Sequence, residues 1–149
     1  MPSFISQSSR ETTKLGESLA HDFVGGEVLA LIGDLGAGKT CLSQGIAKGL
    51  GIKKIISSPT FVVMKVYNLK DKPGIKKFCH IDAYRLNSAE DLVAIGALDY
   101  LNRADTVTVV EWAEKIKDIW PKDTILIDIK HQTENSRKIN IKKGKIKKG

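Results

Sequence analysis

The sequence is short of the residues that build secreted or membrane-embedded proteins. Its 149 residues include only two cysteines, Cys41 and Cys79. That excludes a disulfide framework and a four-cysteine zinc site. No apolar run approaches the roughly 18–20 residues of a membrane-spanning helix. Met1-Pro2-Ser3-Phe4-Ile5-Ser6 has neither a basic n-region nor a long hydrophobic stretch. There are four prolines, no low-complexity segment and no internal repeat. The expectation is a cytoplasmic protein without a membrane segment. With 42% hydrophobic and 28% charged residues, the composition suits one globular domain that buries roughly 70% of its unfolded surface. We place that domain at residues 1–143 and a basic tail at 144–149.

The net charge of +7 is not spread evenly. Arg137, Lys138, Lys142, Lys143, Lys145, Lys147 and Lys148 lie close to the C-terminus, and no acidic residue follows Glu134. Residues 1–136 carry 17 basic and 17 acidic groups and are neutral. The basic end therefore reads either as a solvated last strand with a frayed terminus or as an RNA or acidic-partner contact.

Hydrophobic periodicity orders the rest. Ser8 and Glu11 form a capping box, and Leu15, Leu19 and Phe23 continue at helical spacing, predicting a helix over 9–23. Gly25-Gly26 ends it. Val28-Leu29-Ala30-Leu31-Ile32 reads as a buried strand, and Leu42, Ile46 and Leu50 lie on one face of a helix closed by Gly51. Residues 61–67 and 77–81 read as a hairpin turning at 68–74. Ser88 caps a helical stretch holding Leu92, Ile95 and Leu98. Thr106–Val110 is a buried strand, followed by a short amphipathic piece with Ile116 and Ile119. Residues 124–129 and 138–141 form a late hairpin. The alternation predicts an α/β three-layer domain around a mixed, mostly parallel sheet, ending in an antiparallel hairpin.

Gly33-Asp34-Leu35-Gly36-Ala37-Gly38-Lys39-Thr40 matches G-x-x-x-x-G-K-[ST] at every fixed position, with a strand before it and a helix after it. Glycines let consecutive N–H groups converge on a phosphate, and the helix N-terminus adds its field. Lys39 would reach the β- and γ-oxygens, and the Thr40 hydroxyl would ligate Mg²⁺. Gly33, Asp34, Leu35, Gly36, Ala37, Gly38, Lys39, Thr40 and Cys41 are the candidate contacts of this P-loop with a nucleotide. A P-loop also needs a carboxylate at a neighbouring strand end. Glu111, closing the more apolar strand, suits the metal; Asp82 suits the orientation or deprotonation of water. Thr60, after Pro59, is a candidate γ-phosphate sensor. Trp112 reads as a packing residue, His80 as structural, and the two cysteines as small hydrophobes.

The guanine-specific N-K-x-D signature is not in register, and four scattered arginines make a poor lid for a small-molecule kinase. Partner-coupled hydrolysis fits better; a kinase and a nucleotide-gated RNA-binding module are the alternatives.

Four blocks, Gly33–Thr40, Ser58-Pro59-Thr60-Phe61, His80-Ile81-Asp82-Ala83-Tyr84-Arg85-Leu86 and Val110-Glu111-Trp112, stand in an order that resembles the TsaE (formerly YjeE) family. Thr12 with Leu15-Gly16 is similar to its N-terminal element. The resemblance spans residues 8–141. It implies an ATPase that works with the TsaB–TsaD pair in placing threonylcarbamoyl on adenosine 37 of tRNA, meeting tRNA only through that complex. It also implies ATP and Mg²⁺ as cofactors, Thr40 and Glu111 as metal residues, and Asp82 and Thr60 as catalytic residues. Trp112 would lie near the nucleotide, and Ser9, Thr12 and Arg137 would border the adenine side. Ala113 departs from the family, which has proline there, and the Lys-rich end is no family hallmark.

Overall fold

The structure, a computed structural model, describes residues 3–33, 38–54, 64–86 and 88–143. Asp34, Leu35, Gly36 and Ala37, the Ser57–Phe61 segment with Thr60, and the 144–149 tail lie outside the described residues.

The chain runs through β1 (Ser3–Ser6), α1 (Ser9–His21), β2 (Val28–Gly33), α2 (Lys39–Gly49), β3 (Met64–Asn68) and β4 (Lys77–Asp82). It continues through α3 (Ala89–Ala94), α4 (Ala97–Leu101), β5 (Thr106–Glu111), a 3₁₀ segment (Ala113–Ile119), β6 (Ile125–His131) and β7 (Arg137–Lys143). The described strands form one sheet in the order β1-β7-β6-β2-β5-β4-β3. Its centre, β6-β2-β5-β4, is parallel, and β3, β7 and β1 extend it antiparallel at both sides.

The four central strands carry near-continuous apolar runs because helices cover both faces. Leu29, Leu31, Phe78, Val107, Val109, Ile127 and Ile129 point to α1 and α2, packing on Leu42, Ile46 and Ala47. Val28, Ala30, Cys79, Ile81 and Val110 point the other way, onto Leu92, Ala97, Leu101 and Ile116. The result is the expected three-layer, P-loop NTPase-like α/β domain with its late antiparallel hairpin.

Three local readings change. First, α1 stops at His21 with Asp22 as its C-cap, short of Phe23 and of the Gly25-Gly26 pair. At its start the Ser8 side chain accepts from the Glu11 N–H, while Glu11 accepts from Gln7 N–H rather than completing the box on Ser8. Second, β1 was not anticipated. It has four residues, three of them exposed, and owes its strand form to pairing with β7 (Phe4 opposite Ile139). Third, the stretch after Ser88 is two helices: Gly96, at φ +86°, sits between α3 and α4 in a conformation that a glycine adopts without strain.

Helices α1 and α2 meet backbone to backbone. A Cβ added at Gly45 would lie 2.0 Å from the Thr13 carbonyl oxygen, and one at Gly16 would lie 2.5 Å from that of Leu42. This contact holds the start of α1 over the start of α2.

Candidate nucleotide site

Strand β2 ends at Gly33 and α2 begins at Lys39, with Gly38 as N-cap at φ +109°. A side chain would strain that conformation. Gly33, at φ +137°, adds a second constraint, since a Cβ there would fall 1.9 Å from the Ile129 carbonyl oxygen of β6. Of the two described glycines of the motif, Gly38 is thus dictated by backbone shape and Gly33 by both shape and space.

Lys39 is buried. Its Nζ donates to the Gly33 carbonyl at 2.9 Å and lies 3.8 Å from the centroid of the Trp112 ring. The lysine spans its own loop, and the indole face supplies electrostatic attraction for the ammonium. Trp112 is the described non-glycine residue with positive φ (+58°). Such a backbone costs on the order of 1 kcal/mol and persists where its surroundings impose it. Here the Trp112 carbonyl accepts from Lys115 N–H, and the ring meets Tyr84 in a tilted contact with centroids 5.0 Å apart. A proline at 113 would bias residue 112 toward extended backbone; Ala113, buried at the start of the 3₁₀ segment, imposes no such bias.

The two carboxylates singled out by the sequence sit side by side. Asp82 and Glu111 are register partners at the C-terminal ends of parallel β4 and β5. Strand alternation puts both on the α2 side, in line with Phe78 and Val109. Glu111 Oε1 accepts from the Thr40 hydroxyl at 3.0 Å, so the two proposed metal residues already meet. Its Oε2 is 2.5 Å from His80 Nε2, with the Ser43 hydroxyl at 3.5 Å. Both members of the His80–Glu111 pair are buried. A carboxylate only accepts, so the ring proton belongs on Nε2. His80 Nδ1 is then left buried without a hydrogen-bond partner.

His80 reads from the sequence as structural, and the structure gives it a larger part: it holds the far oxygen of Glu111. The signal for it was its position two residues before Asp82 on the same strand face. Strand register, invisible in the sequence, was needed to connect it to residue 111.

Asp82 is half-buried and accepts from the Tyr84 N–H at 3.0 Å. Burial raises its pKa from the usual carboxylate value; the Tyr84 N–H works against the rise and nearby Glu111 adds to it.

On the other side of Gly38 stand Thr12 and Arg137. Arg137 Nη1 donates to Thr12 Oγ1 at 3.3 Å, and the Arg137 Cδ would lie 3.3 Å from a Cβ at Gly38. Thr12 Oγ1 is also 2.7 Å from Ser6 Oγ, tying β1 into this cluster. Ser9 is exposed in the first turn of α1, three residues before Thr12 on the same face. Cys41 is partly exposed in the first turn of α2. Cys79 lies in the core behind the site, where burial pushes its thiol up to about 12.

Chemically, the Thr40 hydroxyl and the Glu111 carboxylate are hard oxygen donors of the kind Mg²⁺ prefers. No cluster of three or more His, Cys, Asp or Glu suited to a metal occurs among the described residues.

The fold and these strand-end groups define an α/β protein of the P-loop NTPase-like class, and comparison with known proteins narrows it. The family described as threonylcarbamoyl adenosine biosynthesis protein TsaE matches residues 6–139. The chain is 36% identical over 137 residues to the tRNA threonylcarbamoyladenosine biosynthesis protein TsaE of Treponema pallidum, covering 92% of this chain and 97% of the relative. It is 42% identical over 115 residues to the Bacillus subtilis protein of the same name, covering 76% and 68%. The crystal structure of YdiB from Bacillus subtilis superposes with a TM-score of 0.74 at 30% identity, covering 96% of this chain and 84% of that one. The chain belongs to the TsaE family.

Proposed function

We propose that this chain is the ATP-binding and ATP-hydrolysing subunit of the machinery that makes threonylcarbamoyladenosine on tRNA, working with TsaB and TsaD. Family membership supports the pathway. The observation that carries the ATPase reading is the bond from the Thr40 hydroxyl, in the first turn of the P-loop helix, to Glu111, with Asp82 one strand away in register.

In this reading Lys39 leaves the Gly33 carbonyl to meet the β- and γ-phosphate oxygens, which offer it full negative charge. Thr40 and Glu111 would hold Mg²⁺, whose charge would offset that of the phosphate groups. Asp82 orients the attacking water and takes its proton as the new O–P bond forms, while the bond between the γ-phosphorus and the β-γ bridging oxygen breaks and ADP leaves. The raised pKa of Asp82 makes its carboxylate a better proton acceptor than an ordinary aspartate. Thr60 adds a γ-phosphate contact, and Thr12 with Arg137, beyond Gly38, borders the adenine side. Among the described residues no helix is long and apolar enough to cross a membrane.

Calorimetric titration with ATP tests the assignment. Lys39→Ala should abolish binding; Asp82→Asn should bind normally and lose turnover by about 10²–10⁴-fold, the span of a general base. An Asp82→Asn protein with normal turnover would remove Asp82 from this role.

A further inference from the structure

Four large apolar side chains are exposed within residues 84–98: Tyr84 (51%), Val93 (41%), Ile95 (46%) and Leu98 (37%). Val93, Ile95 and Leu98 belong to α3, α4 and the turn between them. Helices α3 and α4 are pinned by buried Leu92, Ala97 and Leu101, and α3 and Tyr84 both lie against the 3₁₀ segment. Folding gains little from apolar groups left in water. Val93 and Ile95 are β-branched as well, poor choices for exposed positions in and at the end of a six-residue helix. The two helices carry charge of one sign, while Arg85 and Lys115 stand at the Tyr84 end. Residues 86–102 contain Glu90, Asp91 and Asp99 and no lysine, arginine or histidine, in a chain of net charge +7.

This face reaches the nucleotide site through one residue. The Tyr84 N–H donates to Asp82, the Tyr84 ring lies against Trp112 in a tilted contact, and its carbonyl accepts from Lys115. The same Trp112 indole has the Lys39 ammonium 3.8 Å from its centroid. Anything seated on Tyr84 bears on the proposed water-orienting carboxylate and on the P-loop lysine together.

We infer that α3, α4 and Tyr84 form the face that docks a protein partner with an apolar centre bordered by lysines or arginines, and that this contact sets the nucleotide site through Tyr84. The inference rests on the reading of the chain as a partner-coupled ATPase. Apolar side chains at the centre supply most of the affinity and the acidic border supplies orientation and encounter rate.

The test uses the full chain with the TsaB–TsaD pair as probe, reading affinity and phosphate release. Val93→Glu/Ile95→Glu should weaken binding of the pair by about tenfold or more and abolish stimulation, as expected of central contacts. ATP affinity and release by the chain alone should be unchanged. Glu90→Lys/Asp91→Lys, which leaves the apolar groups in place, should also weaken binding and should flatten its salt dependence. Ile95→Ser, a gentler change, should weaken binding in the same direction. Folded variants that bind and respond like the wild type would overturn the inference while leaving the partner-coupled reading intact. A chain that dimerises by itself and becomes monomeric on Val93→Glu/Ile95→Glu would assign the face to a second copy, overturning the partner assignment. A wild-type chain that neither binds the pair nor responds to it would overturn the underlying reading, and the inference with it.

Discussion

Replacing His80 by alanine is the sharpest local perturbation the site offers. The imidazole is fully buried and its Nε2 stands 2.5 Å from Glu111 Oε2. Without it, that oxygen keeps only the 3.5 Å contact from Ser43 among the hydrogen bonds described above, while Oε1 keeps Thr40. Loss of a hydrogen bond to a charged group costs about 1.5–3 kcal/mol. The absence of a partner for Nδ1 offsets part of that cost, because alanine leaves no unpaired ring nitrogen. Glu111 is then held less firmly in its orientation, and groups that orient a metal ligand typically change metal affinity by about 10–100-fold when removed. The assay is a Mg²⁺ titration of phosphate release, paired with ATP binding in EDTA. His80→Ala should raise the half-saturating Mg²⁺ concentration by about 10–100-fold and leave metal-free ATP affinity unchanged. His80→Gln, whose amide nitrogen reaches the place of Nε2, should recover part of the loss. A folded His80→Ala protein with an unchanged Mg²⁺ midpoint, or one whose metal-free binding falls equally, would refute the reasoning.

Other expectations test the frame around the site. Gly45→Ala should lower the urea midpoint despite a helix-propensity gain of about 1 kcal/mol, because overpacking costs about 1–3 kcal/mol and the obstruction here is the Thr13 backbone at 2.0 Å. An unchanged midpoint would mean that α1 and α2 are not in backbone contact. A thiol reagent should modify Cys41 in the native protein and Cys79 only on unfolding, since burial both shields the latter and keeps it protonated; two equally fast thiols would contradict the core placement of β4. The acid limb of turnover should lie above the ordinary aspartate value of 3.8, because burial makes Asp82 hold its proton to higher pH. Turnover would therefore be lost as pH falls through the raised pKa, and a limb at or below 3.8 would exclude Asp82 as the proton acceptor.

What the sequence disclosed depended on the range of the interaction. Strands β2 and β5 were legible because burial on both faces writes an unbroken apolar run, and the P-loop because its spacing is dictated by backbone geometry that few residues permit. Asp82 and Glu111 could be singled out as strand-end carboxylates, but which oxygen met which donor depended on register. His80 reads from the sequence as structural because its partner lies 31 residues away on the neighbouring strand. Strand β1 escaped for the same reason: Ser3–Ser6 has no apolar pattern of its own and is a strand by virtue of β7. The division of α3 from α4 was readable in principle at Gly96, and the end of α1 before Phe23 was not, since Phe23 packs on the core without being helical. The left-handed backbone of Trp112 goes with ring contacts to Tyr84 and Lys39 that join segments far apart in the sequence.

Phosphate release from Mg-ATP, measured with and without the TsaB–TsaD pair, bears most directly on the central claim. Slow release by the chain alone, a marked rise when the pair is added and loss of both in Lys39→Ala are the results expected of a partner-coupled ATPase. Proven ATP binding with no release in either condition would contradict it.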